Sequence, residues 1–158
     1  MSNIVFTRID DRLIHGQVMT SWVKHTQANM ISIVDNEVAN DPFISRVLKM
    51  AVPSEVKVDI YNTEQAIEAL TLKVQNSNRI IILAKHPKTI YSLIKNGVDI
   101  ENVNVGGMGA RPGRKSIYKN ISASQEEKEI FKEILSLGKK VYMQIVPDDK
   151  KVDIEKYL

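Results

Sequence analysis

Short runs of apolar, largely β-branched residues recur along the chain, and longer amphipathic stretches separate them. The apolar runs predict strands over residues 4–6, 30–34, 56–61, 79–84, 103–105 and 141–146. The stretches between them predict helices over residues 16–25, 42–52, 64–74, 87–96 and 125–137. Strand and helix therefore alternate along the chain, which predicts an α/β fold.

Several predicted helix starts and one helix end carry local signals. Pro42 and Pro87 stand in a first helical turn, where the missing N–H costs nothing. Ser124 and Glu127 have the spacing of a capping box, and Gly138 follows the last predicted helix. These signals support the predicted ends of the helices.

The run that ends at Ala84 is apolar at consecutive positions, which is typical of a strand with helices on both of its faces. It predicts a three-layer α/β/α sandwich with a mostly parallel central sheet, formed as a single domain by residues 1–158. In such a sheet the loops at the carboxyl ends of the strands meet at one edge, where ligands bind. His15 follows the first strand and is therefore expected at that edge.

Composition narrows the classes of function. The 158 residues are 43% hydrophobic and 26% charged, as in a folded globular domain, and the absence of cysteine excludes disulfides and thiolate metal sites. No signal-peptide pattern and no apolar run of about 20 residues is present, so we expect a cytoplasmic protein that reaches a membrane only through partners. The formal charge of +3 is spread along the chain, which disfavours nucleic-acid binding.

The stretch RIDDRLIHGQ concentrates the candidate chemistry. His15 precedes Gly16, which begins a helix, and the free N–H groups of that helix start, including that of Gln17, favour an anion. Arg8 and Arg12 add guanidinium groups shaped to bind phosphate oxygens. The same positive surroundings disfavour a charged imidazole, so His15 is predicted to be a neutral nucleophile for phosphoryl transfer.

A carboxylate is expected to fix the tautomer of His15. Asp10 or Asp11 can accept a hydrogen bond from one ring nitrogen and leave the other free to attack phosphorus, and we favour Asp10. Arginine and backbone N–H groups can stabilise the transferring group, so neither a metal nor another cofactor is predicted. A surface ion-pair network with a capping histidine explains the same spacing without catalysis.

RIDDRLIHGQV resembles the active-site segment of the IIB component of the mannose/fructose/sorbose class of bacterial phosphotransferase systems. The resemblance extends over nearly the whole chain. It includes Val34-Asp-Asn36, Lys49-Met50-Ala51 and Asn104-Val-Gly-Gly-Met108.

The resemblance implies a phosphocarrier with phosphotransferase activity. A phosphohistidine of the IIA component would donate the phosphoryl group to Nδ1 of His15, which would pass it to a hexose-type sugar of the mannose, fructose, sorbose or N-acetylgalactosamine class. The sugar would enter through the membrane components IIC and IID, which would hold the protein at the membrane from the cytoplasmic side. Arg12 would contact the phosphoryl group, and Asp10 would support it from the same loop.

Two further features are less specific. The segment 106–115 is glycine-rich but lacks the spacing of a nucleotide-binding loop and departs from the family pattern at Gly109-Ala-Arg-Pro-Gly113. Its Arg111, Arg114 and Lys115 fit a docking surface for an acidic face of IIA or an ordinary basic turn. His86 follows the strand at 79–84 and fits either a helix start or the ligand edge.

A different class of function also fits the residues. A non-catalytic regulatory module of the same fold could sense a sugar phosphate through the histidine and arginine loop without covalent chemistry. The sequence identifies neither the sugar nor the oligomeric state, although a homodimer fits this kind of protein.

Overall fold

A computed structural model describes residues 3–71 and 77–158. Its strands are β1 (Ile4–Asp10), β2 (Met30–Val34), β3 (Lys57–Tyr61), β4 (Ile80–Ala84), β5 (Asn102–Gly107), β6 (Lys115–Tyr118), β7 (Ile121–Ala123), β8 (Lys140–Met143) and β9 (Val152–Asp153). Its α-helices are α1 (Gly16–Thr26), α2 (Asn36–Ala39), α3 (Pro42–Met50), α4 (Thr63–Thr71), α5 (Pro87–Lys95) and α6 (Gln125–Ser136), and a 3₁₀ helix covers Ile154–Tyr157.

The central sheet has seven strands in the order β3-β2-β4-β1-β5-β8-β9. The pairings from β3 to β8 are parallel, and β9 is antiparallel to β8. β1 lies between β4 and β5, so the loop that leaves its carboxyl end opens near the middle of the sheet. This is the position at which open parallel sheets bind their ligands.

Each face of the sheet has its own hydrophobic core. Ile81 and Leu83 of β4 point into a cluster with α1 and α3, whereas Ile82 and Ala84 point into a second cluster with α5 and α6. Consecutive residues of β4 are thus 0% exposed because helices cover both faces. The predicted three-layer α/β/α sandwich with a mostly parallel sheet is confirmed.

The structure corrects several boundaries. β1 continues to Asp10, so Arg8 belongs to a strand and not to the following loop. β8 ends at Met143 instead of residue 146, because the Gln144 side chain turns the chain by donating to the backbone oxygens of Pro147 and Asp149. Residues 72–74 of the helix predicted over 64–74 lie outside the described residues.

A two-stranded antiparallel hairpin of β6 and β7 was not predicted. Lys119, with a φ of 43°, occupies its turn in the left-handed region. The turn contains no glycine, so the usual hairpin signal is missing from the sequence.

Candidate active site

The segment from Asp10 to Gly16 connects β1 to α1 and forms the candidate site. The backbone enters the left-handed region at Leu13, with a φ of 57°, and again at Gly16, with a φ of 50°. Leu13 is 2% exposed and packs into the core with α1, which offsets a conformation that costs roughly 1–2 kcal/mol for a side chain with a Cβ. Gly16 adopts its conformation without that cost.

The imidazole of His15 lies between a carboxylate and a guanidinium. His15 Nε2 is 2.9 Å from Asp10 Oδ2, and Arg12 Nη2 is 2.7 Å from His15 Nδ1. Because a guanidinium only donates, Nδ1 accepts, and the ring proton resides on Nε2. The geometry therefore selects a neutral tautomer whose Nδ1 lone pair faces Arg12, while the His15 side chain remains 20% exposed.

Asp10 is the central acceptor of the site and is 2% exposed. Its Oδ2 accepts from His15 Nε2 and from the Arg8 guanidinium, at 3.1 Å from Nη2, and its Oδ1 accepts from the backbone N–H of Arg12 at 2.9 Å. One carboxylate thus holds both the ring of His15 and the backbone N–H of Arg12. The structure places Asp10, and not Asp11, against the imidazole.

Arg8 does not reach the site's surface. Its side chain is 0% exposed, and Nη1 donates to Asn104 Oδ1 at 2.7 Å and to the backbone oxygen of Gln144 at 3.1 Å. Trp22 covers the guanidinium with its ring centroid 5.7 Å from Cζ. Burial lowers the pKa of Arg8, and Asp10 opposes that effect.

The predicted role of Arg8 as a phosphate ligand is therefore revised. Its side chain is 0% exposed, and its guanidinium donates to Asp10, Asn104 and the backbone of Gln144, so it offers no surface to a phosphate group. Arg8 instead compensates the buried charge of Asp10 and holds the carboxylate from the interior of the protein.

Gly106 and Gly107 permit the close approach of these side chains. The register between β1 and β5 shifts between Ile9 and Asp10, which places Gly107 opposite Asp10 and leaves Gly106 in a bulge. A Cβ on Gly106 would overlap the Arg8 guanidinium, and a Cβ on Gly107 would lie 2.6 Å from Asp10 Oδ1. The glycines are thus required by space and not by backbone conformation.

Asp11 joins the loop to the glycine-rich segment. Asp11 Oδ2 accepts from the backbone N–H of Gly109 at 2.7 Å and from Arg114 Nη1 at 3.0 Å, while Arg111 Nη2 lies 3.4 Å from Oδ1. The Arg114 side chain is 4% exposed. Of the three basic residues that fitted either a docking surface or a basic turn, Arg114 thus offers little surface to a partner, whereas Arg111 and Lys115 are exposed.

The other predicted candidates have simpler surroundings. Gly16 and Gln17 are exposed at the amino end of α1, where the His15 side chain makes no capping hydrogen bond. His86 is exposed at the start of α5 and lines a cleft of about 500 Å³ between the first turns of α5 and α6. The structure does not bring His86 into the hydrogen-bond network around His15.

Asn104 and Gln144 complete the site and were not predicted. Asn104 is 0% exposed in the middle of β5, and its Nδ2 donates to the backbone oxygen of Gln144 at 3.0 Å. An asparagine between the valines of a predicted buried strand was the available signal, since buried amides need partners. Gln144 gave no such signal, because its backbone oxygen and not its side chain contacts Arg8.

In the described parts of the chain, none of the helices has the length and apolar character needed to cross a membrane.

Comparisons with known proteins find similarity over nearly the whole chain to IIB components of phosphotransferase systems. The family model described as the sorbose subfamily IIB component of the PTS system matches residues 4–158. The sorbose-specific EIIB component of Lacticaseibacillus casei is 35% identical over 151 residues, which cover 96% of this chain and 92% of that protein. The mannose-specific EIIAB component of Escherichia coli K12 is 33% identical over 149 residues, covering 94% of this chain and 46% of that protein.

A solved structure agrees with these relationships. The crystal structure of the IIBSor domain of the sorbose permease from Klebsiella pneumoniae superimposes with a TM-score of 0.94 at 34% identity. The match covers 99% of this chain and 96% of that chain.

Proposed function

Because the chain belongs to the sorbose-subfamily IIB components of the phosphotransferase system, we propose that it carries a phosphoryl group on His15 from a IIA component to a sugar. The family membership supports a role in sugar phosphotransfer, and the proposal adds the residue, the atom and the partners. The single observation that carries it is the placement of the His15 ring between Asp10 and Arg12.

The first transfer begins with attack by the Nδ1 lone pair of His15 on phosphorus. The phosphorus–nitrogen bond of the donor phosphohistidine breaks, and its electron pair returns to the donor imidazole. Arg12 donates to Nδ1 at rest, so its guanidinium moves from the nitrogen to the phosphoryl oxygens as the new bond forms. The N–H groups of Gly16 and Gln17 at the start of α1 supply further donors to the same oxygens.

Asp10 stabilises the positive charge that develops on the imidazole. The ring keeps its proton on Nε2, 2.9 Å from Asp10 Oδ2, throughout the transfer. Arg8 holds Asp10 in place, so it acts through the carboxylate and does not touch phosphate. These contacts also fix the ring orientation before the donor arrives.

The second transfer regenerates the neutral ring. A hydroxyl oxygen of the sugar attacks phosphorus, the bond from phosphorus to Nδ1 breaks with its electrons returning to Nδ1, and the hydroxyl proton passes to water. We propose that membrane components IIC and IID present the sugar and hold the protein at the cytoplasmic side of the membrane. A IIA partner is supported by the mannose-specific relative, whose EIIAB designation combines A and B components.

The test is incubation of the full chain with phosphorylated IIA. We expect a mass increase of one phosphoryl group, labile in acid and stable in alkali, and a phosphorus NMR signal of a phosphorylated Nδ1. His15→Ala should abolish the modification, whereas His25→Ala should retain it. Modification that persists in His15→Ala, or no modification of the native chain, contradicts the proposal.

A further inference from the structure

Arg114 connects the active-site loop to helix α6, and each nitrogen of its guanidinium takes part. Nη1 donates to Asp11 Oδ2 at 3.0 Å and to the backbone oxygen of Gly109 at 2.9 Å. Nε and Nη2 form a bidentate pair with Glu127, at 2.9 and 2.8 Å. We call these contacts of Arg114 with Asp11, Gly109 and Glu127 the Arg114 clamp.

One end of the Arg114 clamp is fixed to the core. Glu127 also accepts from the backbone N–H of Ser124 at 2.9 Å, and Ser124 Oγ accepts from the backbone N–H of Glu127 at 3.0 Å, as in a capping box. The same helix buries Phe131 and Ile134, both 0% exposed. Glu127 is therefore a rigid anchor, and the segment it holds through Arg114 is the loop that carries Asp11.

The two carboxylates of the clamp share a single guanidinium, and all three groups are largely removed from water. Asp11 and Glu127 are 14% and 15% exposed, and the guanidinium of Arg114 lies between their carboxylates. Without that guanidinium the carboxylates face each other, and Asp11 retains only its backbone donor at Gly109 and the longer contact to Arg111. Repulsion then displaces the loop, because the glutamate is the fixed partner.

The clamp holds the active-site loop at the residue between the two that position the histidine. Asp11 lies between Asp10 and Arg12, the residues that contact the His15 ring. A displacement of Asp11 is carried to both neighbours through the adjoining peptide bonds. A displacement of about 1 Å in a catalytic contact can lower a rate by roughly 10²-fold.

We infer that Arg114 is a positioning residue of the phosphoryl-transfer site, which it serves by holding Asp11 and hence the Asp10, Arg12 and His15 arrangement. The inference rests on the proposed function and assigns to Arg114 a role in the transfer step itself. It differs from a docking role, which would strengthen binding of IIA without changing the rate within the complex.

The experiment compares Arg114→Met, Arg114→Lys and Glu127→Gln with the native protein, at a temperature at which each is folded by circular dichroism. Transfer from phosphorylated IIA is followed at varied IIA concentration. For Arg114→Met we expect kcat to fall by about 10²-fold with KM unchanged. For Arg114→Lys we expect a smaller fall, because lysine keeps the charge but cannot form the bidentate pair with Glu127. Glu127→Gln keeps the capping box and should lower kcat in the same direction.

The matched control is Glu129→Gln on the same helix. Glu129 forms an exposed pair with Lys132, with side chains 57% and 48% exposed, and no contact to the active-site loop. Its replacement should leave kcat at the native value. A native kcat in folded Arg114→Met, an effect confined to KM, or a loss no larger than the loss of folded protein overturns the inference.

A second readout needs no phosphoryl donor. The proton on His15 Nε2, bonded to Asp10, gives an NMR resonance that should shift and exchange faster in Arg114→Met but not in Glu129→Gln. An unchanged resonance overturns the inference. If the native chain accepts no phosphoryl group, the proposed function fails, and the resonance still decides whether Arg114 positions the loop.

Discussion

Gly107→Ala tests whether the site depends on the spacing between β5 and Asp10. A Cβ built on Gly107 lies 2.6 Å from Oδ1, 2.9 Å from Cγ and 3.2 Å from Oδ2 of Asp10. The nearest of these is roughly 0.8 Å short of ordinary van der Waals contact. The backbone that carries this Cβ is paired within the sheet and cannot easily shift. Asp10 is the last residue of the neighbouring strand, so we expect its carboxylate to move by about that distance.

Such a movement is large compared with the contacts that Asp10 makes. Its hydrogen bonds to His15 Nε2 and to the Arg12 backbone N–H are both 2.9 Å long. Lengthening by roughly 0.8 Å exceeds the range of a hydrogen bond, which ends near 3.5 Å. We expect the transfer rate to fall by about 10²-fold and the free energy of unfolding to fall by about 1–3 kcal/mol, since a buried carboxylate loses donors.

Gly109→Ala is the matched control in the same segment. Its Cβ would lie 3.6 Å from Asp11 Oδ2, an ordinary contact, and its backbone N–H would still donate to Asp11. The assay is single-turnover transfer from phosphorylated IIA together with thermal unfolding of each variant. Equal rates for the two alanine variants would refute the claim that close packing of Gly107 on Asp10 sets the geometry of His15.

Further predictions concern charges at and around the site. Arg8→Met should lower the free energy of unfolding by about 3–5 kcal/mol, because Asp10 loses its buried counter-ion; an unchanged melting temperature in calorimetry would contradict the buried role. Arg12→Ala should slow transfer by about 10²–10³-fold with a native melting temperature, since Arg12 is exposed; a large loss of stability in the same calorimetric scan would instead indicate a structural residue. Burial raises the pKa of Glu127, but hydrogen bonds from Arg114 and Ser124 outweigh it and lower the pKa below the ordinary 4.5. The stability that Glu127 contributes is therefore complete above pH 4.5 and lost as the pH falls through the lower folded value, so Glu127→Gln should flatten the acid limb of a denaturation curve measured against pH.

Much of the architecture follows from local patterns in the sequence. Consecutive apolar residues in β4 predicted a strand covered on both faces, and both cores were found there. Ser124 and Glu127 predicted a capping box that the structure contains. These signals are readable because each depends on residues close together in the chain: a run of apolar positions within one strand, and a capping contact within one helical turn.

The candidate site divides in the same way. His15, Asp10 and Arg12 lie within six positions of one another, so their proximity after a strand could be inferred from the sequence alone. The hairpin of β6 and β7 was missed for lack of a glycine turn, and residue 107 gave no sign that its small size was needed. The hairpin lacks a local signal, whereas the need for a small residue 107 depends on β5 becoming the neighbour of β1.

The roles of the other arginines required the tertiary structure. Arg8 was predicted to bind phosphate because a guanidinium fits phosphate oxygens, yet it is buried against partners 96 and 136 residues away. Arg114 fitted either a docking surface or a basic turn, and its side chain is instead bound by partners 103 and 13 residues away. The sequence by itself determined the fold class and indicated His15 as the candidate nucleophile, because both rest on local periodicity and spacing. Tertiary structure decided which arginines face solvent. Burial of a guanidinium costs desolvation energy, which only nearby acceptors offset. For Arg8 these acceptors include Asn104 and Gln144, which the strand order brings next to β1.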